Sequence, residues 1–233
     1  MKYVFGPLKS RRLGNSLGIN LLPRKICTYD CVYCQLGLTE IKTVKKFKFN
    51  HIVRLLEELS YVLQREKVDY ITFAGLGEPT LVENLGDVIS KIKKITKVPI
   101  AVITNGSLIF DKGVQKSLLK ADLVVPSLDA ISELSFRRIN RPLSCLNFKK
   151  IVAGLIEFRR IYNGLIWLEI MLVKEFKVTK RDIDDFKRII SLIKPDLVHL
   201  VSPTRIKDCK IHPLSKEKLS EIREQFGKNC VVV

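Results

Sequence analysis

Along the chain, short runs of β-branched and apolar residues alternate with longer stretches in which apolar positions return every three to four residues. The first pattern is that of strands buried on both faces, the second that of helices with one buried face. Strands are predicted at 17–22, 69–74, 100–104, 123–128, 165–173 and 197–201. Helices are predicted at 51–65, 84–94, 112–120, 147–162, 180–193 and 216–226. In the first of these, His51, Ile52, Leu55, Leu56 and Leu59 fall on one face, with Arg54, Glu57 and Glu58 elsewhere. Pro99, Pro126, Pro142, Pro195, Pro203 and Pro213 border or interrupt the elements. Six strand–helix units imply a parallel sheet, and right-handed crossovers curl such a sheet towards a barrel. The expected class is therefore α/β, as a partial or open (β/α)6 TIM-like barrel. One domain is expected over 1–233, with a core of about 15–205 and an extension over 206–233.

In such folds the functional loops gather at the strand C-termini. Cys27 follows the first predicted strand, Gly75-Leu76-Gly77-Glu78-Pro79 the second and Asn105-Gly106-Ser107 the third. Ser127-Leu128-Asp129-Ala130 ends the fourth, and Ser202-Pro203-Thr204-Arg205 follows the sixth. The polar and unusual residues thus collect on one rim.

Composition adds charge and redox setting. The 233 residues are 46% hydrophobic, enough for a real core, and 41 basic against 24 acidic residues give a net charge of +17. That balance attracts polyanions, nucleic acid first among them; the competing reading is a lysine-rich surface of the kind thermophiles use, which binds nothing. No apolar run reaches the ~20 residues of a membrane span, and residues 1–7 lack a secretory leader. A soluble, cytoplasmic protein is expected. Three of the six cysteines lie within eight residues, a spacing that fits metal or redox chemistry in a reducing compartment.

Those three, Cys27, Cys31 and Cys34, read CxxxCxxC in one loop. Thiolates suit zinc and iron–sulfur clusters. A structural zinc needs a fourth ligand, which no neighbouring His or Cys supplies, and a redox pair leaves Cys27 unexplained. Buried free thiols are the remaining alternative. A four-iron cluster held by three cysteines keeps one iron open.

With Tyr33 before the last cysteine, this segment resembles the radical S-adenosylmethionine (radical SAM) superfamily. The resemblance implies a 4Fe-4S cluster ligated by Cys27, Cys31 and Cys34, and S-adenosylmethionine chelated at the open iron. It implies an oxidoreductase or lyase-type enzyme: an electron from ferredoxin or flavodoxin cleaves the C5′–S bond, and the 5′-deoxyadenosyl radical takes hydrogen from a substrate. Gly75-Leu76-Gly77-Glu78-Pro79 is similar to the family's GGEP motif, with Leu76 between the glycines, so Gly75, Gly77 and Glu78 are expected to receive the methionine amino group. Asn105, Ser127 and Asp129 occupy positions that lie near the ribose and carboxylate in relatives; an Asx turn or helix cap is the structural alternative. Tyr29 and Tyr33 are expected to pack over the cluster or the adenine.

Further segments are similar to one branch, the radical enzymes grouped with wyosine-base synthetases, which act on a guanine beside a tRNA anticodon. They include Ser10-Arg11-Arg12-Leu13-Gly14-Asn15-Ser16, Phe136-Arg137-Arg138-Ile139-Asn140-Arg141-Pro142 and Trp167-Leu168-Glu169-Ile170-Met171-Leu172-Val173-Lys174. The chain departs from those synthetases in having no cysteine before Cys27, hence none of their second-cluster ligands. The resemblance makes tRNA or another nucleic acid the expected substrate; a protein, as for glycyl-radical activases, or a small metabolite is the alternative. A noncatalytic module with a structural metal loop is a third reading.

Arg11, Arg12, Arg138, Arg141 and Arg205 stand beside the rim motifs as substrate candidates, or as rim-locking ion pairs. Glu169, polar in an apolar strand, is expected to point into the barrel and to require a partner or a cofactor contact. Cys145, Cys209 and Cys230 read as small buried apolar residues, with an auxiliary cluster as the alternative if the fold brings them together. His51, His199 and His212 have no ligand spacing and read as structural or surface residues.

Overall fold

The computed structural model describes residues 2–205, 207 and 210–233. Its strands, in chain order, are β1 (Val4–Ser10), β2 (Gly14–Ile19), β3 (Ile26–Cys27), β4 (Ile41–Lys42), β5 (Tyr70–Phe73) and β6 (Ile100–Thr104). They continue with β7 (Leu123–Pro126), β8 (Leu165–Met171), β9 (Leu197–Val201) and β10 (Cys230–Val232). The helices are α1 (Ile52–Leu63), α2 (Leu85–Ile95), α3 (Lys112–Leu118), α4 (Glu133–Ile139), α5 (Phe148–Ile161), α6 (Lys180–Ile193) and α7 (Lys216–Phe226).

Eight strands form one sheet in the order β1-β2-β5-β6-β7-β8-β9-β10, while β3 and β4 pair separately. All neighbours in the large sheet run parallel except β1 and β2. Its ends, β1 and β10, are not joined, so the barrel is open. The six expected strands are β2 and β5 to β9.

The extra elements have local reasons for escaping a periodicity reading. Strand β1 carries Gly6-Pro7 in its middle and a register shift between Phe5 and Leu8; proline is tolerated there because the strand is at the edge. Strand β10 is three residues long, and α4 is a seven-residue helix set by a Ser132–Ser135 capping box rather than by an apolar face. Helix α5 starts one residue later than predicted because Asn147 caps it, its side chain accepting from Lys150 N at 3.1 Å. Helix α6 ends in Lys194, which is left-handed, with Pro195 behind it.

Both faces of the sheet are packed, as its continuous apolar strands require. Ile100 and Val102 of β6 face the helices and join the main core with Leu55 and Leu59 of α1; His51, predicted on that face, is exposed. Ala101 and Ile103 face inward with Leu13, Leu123, Val125, Tyr70 and Trp167.

The β1–β2 hairpin corrects one expectation. Strand β2 starts at Gly14 and runs parallel to β5, so the turn holding Arg11 and Arg12 lies at the N-terminal ends of the parallel strands, opposite the rim. Arg12 reaches inside the barrel and pairs with Glu169 of β8. The sequence read the two arginines as rim neighbours because it did not contain β1 as a strand.

Candidate active site

The cysteine loop is held from three sides by main chain. Ile26 and Cys27 pair with Ile41 and Lys42, and Thr43 N donates to Cys27 O at 3.0 Å. Ile26 N donates to Leu76 O and Glu78 N to Ile26 O, at 3.1 and 3.0 Å. Asp30 N and Val32 N donate to Asn140 O and Ile139 O, and Leu143 N donates to Thr28 O. The segment Phe136 to Pro142, similar to the synthetase branch, therefore supports the cysteine loop through its main chain. Tyr29 is buried edge-on to Phe136, with ring centroids 5.3 Å apart. Val32 and Tyr33 pack with Val173, Phe176 and Ile211 from later in the chain.

Gly75 and Gly77 have φ of 123° and 137°, a region that excludes side chains at little cost only for glycine. Gly75 abuts the Asn20 side chain, whose Oδ1 accepts from Leu76 N at 3.0 Å and whose Nδ2 donates to Leu22 O at 2.8 Å. Asn20 thus shapes the glycine turn, a role no spacing in the sequence announced.

Glu78 is 2% exposed. Its Oε1 accepts from Thr80 N (2.9 Å), Thr80 Oγ1 (2.6 Å) and Thr104 Oγ1 (2.6 Å), and its Oε2 from Asn105 N (2.7 Å). The carboxylate therefore ties the end of β5 to the end of β6. Burial pushes its pKa up against the four hydrogen bonds that favour its ionised form.

Asn105 forms the Asx turn weighed as an alternative, its Oδ1 accepting from Ser107 N at 2.9 Å. Its Nδ2 is 2.8 Å from Thr28 Oγ1 and 3.3 Å from Cys27 Sγ. Asp129 accepts from the Tyr33 hydroxyl, from Asn140 Nδ2 at 2.7 Å and from Met171 N at 2.9 Å. Ser127, half-buried, forms a bridge with Glu169 through the main chain. Asn140, 2% exposed, also lies 3.5 Å from Cys31 Sγ. Burial pushes the Cys27 thiol up to about 11, and that of Cys31 well above its ordinary value. Such thiols stay protonated until a metal displaces the proton.

The structure thus brings Cys27, Cys31, Cys34, Tyr33, Gly75, Gly77, Glu78, Asn105 and Asp129 to one end of the barrel. Arg141 and Arg205 are exposed at that end; Arg138 lies over the Phe176 ring at 5.3 Å. Cys145 is exposed between α4 and α5, Cys230 is buried in β10 with its thiol pushed up to about 12 by burial, and Cys209 is outside the described residues. His212 pairs with Glu175.

A cofactor can be tested against this arrangement. Among the described residues, no three His, Cys, Asp or Glu side chains converge as a single ion would require. Three half-buried thiols in one backbone-pinned loop are the donor set of a four-iron cluster with one vertex left over.

The family model described as the radical SAM superfamily matches residues 21–191. The chain is 44% identical over 233 residues to a Brachyspira hyodysenteriae protein named GTPase Obg, covering 99% of this chain and 34% of that one. It is 40% identical over 240 residues to a UPF0026 protein of Methanocaldococcus jannaschii, covering 99% and 74%. The chain therefore spans about a third of the first relative and three quarters of the second. Among solved structures, a radical SAM methyltransferase from Sphaerobacter thermophilus superposes with a TM-score of 0.68 at 13% identity, covering 94% of this chain and 65% of that one. SuiB of Streptococcus suis bound to S-adenosylmethionine gives 0.64 at 16% identity, covering 93% and 49%. These structures share the fold. On the sequence match, the chain belongs to the radical SAM superfamily, whose enzymes use a 4Fe-4S cluster and S-adenosylmethionine.

Proposed function

We propose that this radical SAM enzyme modifies a base in tRNA or another nucleic acid, with Cys27, Cys31 and Cys34 as its iron ligands. The observation that carries the chemistry is the loop itself: three thiols held by main-chain bonds to β4, to the glycine turn and to the end of α4. When bound, the cluster and S-adenosylmethionine supply reductive cleavage of the cofactor's C5′–S bond to a radical that abstracts hydrogen. The chain's own residues hold the ligands and fix the rim. Gly75 leaves main chain uncovered at the strand end, Gly77 lets the Ile26 backbone approach, and Tyr33 and Asp129 lock the loop to β7 and β8.

The net charge of +17 supports a nucleic-acid substrate. So do the cations at the cysteine end: Arg141 and Arg205 are exposed, Lys42 Nζ reaches Arg141 O at 3.2 Å, and Lys207 lies against Gly37. The electron comes from a carrier such as ferredoxin or flavodoxin. Among the described residues no helix is long and apolar enough to cross a membrane, and a reducing cytoplasm suits the free thiols. The chain contains no GxxxxGK[ST] loop of the kind that cradles nucleotide phosphates.

The test is anaerobic reconstitution followed by assay for 5′-deoxyadenosine, in wild type and Cys31→Ala, with mass spectrometry of RNA from a deletion strain. Cleavage by wild type alone, with a missing base modification, is the expected result. Cleavage by the Cys31 variant would overturn the ligand assignment. Unchanged RNA alongside an altered cell protein would move the substrate to a polypeptide.

A further inference from the structure

We propose that Asn105 and Asn140 are positioning residues that raise the reduction potential of the cluster, each by donating a side-chain amide N–H to a ligating sulfur. The inference rests on the cluster assignment above and adds two residues to it.

Neither amide depends on the sulfur for its place. Asn105 N donates to Glu78 Oε2 at 2.7 Å, and its Oδ1 accepts from Ser107 N at 2.9 Å, which fixes the sense of the amide. Its Nδ2 then has one hydrogen for Thr28 Oγ1, at 2.8 Å, and one for Cys27 Sγ, at 3.3 Å. Asn140 is held through its main chain, N to Phe136 O at 3.0 Å and O from Asp30 N at 3.0 Å. One Nδ2 hydrogen goes to Asp129 Oδ2 at 2.7 Å; the other faces Cys31 Sγ, with the Tyr33 hydroxyl also 3.5 Å away. Among the described residues these are the only side-chain amides that reach a cysteine sulfur.

An N–H aimed at a thiolate draws electron density from it and stabilises the added negative charge of the reduced state, so the potential rises. Partial burial of Cys27 and Cys31 lowers the local dielectric and strengthens the effect. Two of the three ligating sulfurs carry such a donor, which makes the one-electron reduction easier for a carrier of modest reducing power.

The test is an EPR-monitored redox titration of the reconstituted enzyme and of Asn105→Leu and Asn140→Leu, with iron content measured for each. Both variants are expected to bind wild-type iron and to show a more negative midpoint, and Asn140→Gln to recover part of the shift. A midpoint that is unchanged or more positive in fully loaded variants overturns the proposal. Should the leucine variants fail to take up iron, wild-type enzyme labelled with ¹⁵N in asparagine side chains decides the matter by pulsed EPR. A nitrogen coupling to the reduced cluster supports the proposal, and its absence overturns it. Wild type that assembles no four-iron cluster would instead defeat the proposed function.

Discussion

Gly77 and Ile26 meet backbone against backbone: a β-carbon on Gly77 would stand 1.8 Å from the Ile26 carbonyl oxygen, which accepts from Glu78 N at 3.0 Å. The glycine turn and the first cysteine are therefore one unit, since Ile26 directly precedes Cys27. Gly77→Ala must push β3 away from the turn, and at φ 137° it also strains the main chain. We expect it to cost about 1–3 kcal/mol and to lower iron uptake on reconstitution several-fold, while far-UV circular dichroism stays that of wild type. Full iron binding by the variant would refute this coupling.

Glu78 is the buried acceptor for four donors, so its removal leaves Thr80, Thr104 and Asn105 groups without partners. Glu78→Ala should lose about 3 kcal/mol, read as a lower denaturation midpoint in urea. Glu78→Gln can keep some of these acceptor bonds and should lose less. The order of the two variants is the check: equal losses would mean that the hydrogen bonds contribute little.

The legible part of the fold was the part with sustained periodicity. Strands β2 and β5 to β9 and the five longer helices each bury a continuous face, and that burial is what the apolar pattern records. The ends of α6 and α7 and of β6 and β9 match the sequence reading because caps and prolines mark them. Edge strand β1 is interrupted by Gly6-Pro7 and helix α4 is only seven residues long, set by its capping box, so neither shows a sustained apolar period. In the site, CxxxCxxC and the glycine turn were legible because chemistry needs those residue types at fixed spacing. Asn20, Thr28 and Thr104 were not, since a lone polar residue at a strand end reads as a turn until the opposing loop is in place. The Arg11 and Arg12 expectation failed for the same reason: hairpin direction is a property of the sheet.

His199 sits on β9, 2% exposed, with its ring edge-on to Trp167 and, among the described residues, no hydrogen-bond partner for its Nδ1. Burial, with Arg12 nearby, lowers its pKa from 6.5 to about 4. The unfolded chain takes up the proton below about pH 6.5, whereas the folded chain does so only near 4. The stability contribution is therefore complete above that upper value and drains away as pH falls towards the lower one, by about 2 kcal/mol at pH 5. His199→Phe should show a smaller drop in Tm than wild type between about pH 7 and pH 5. Parallel curves would mean that His199 contributes nothing to the acid sensitivity in this window.

Arg12 and Glu169 pair inside the barrel, with side chains 23% and 10% exposed. Burial lowers the Arg12 pKa, with Arg11 adding to the effect, so the position is costly for a cation and tolerable because the carboxylate faces it. Breaking the pair from one side strands the other charge. Arg12→Met should therefore lose about 3–5 kcal/mol, while Arg12→Met combined with Glu169→Leu should recover most of it. A double-mutant cycle on urea midpoints measures the coupling. The same double variant separates two roles for the pair. If it only closes the inner face of the barrel, the variant cleaves S-adenosylmethionine at the wild-type rate after reconstitution. A stable, iron-replete double variant without that cleavage would place Glu169 in contact with the cofactor.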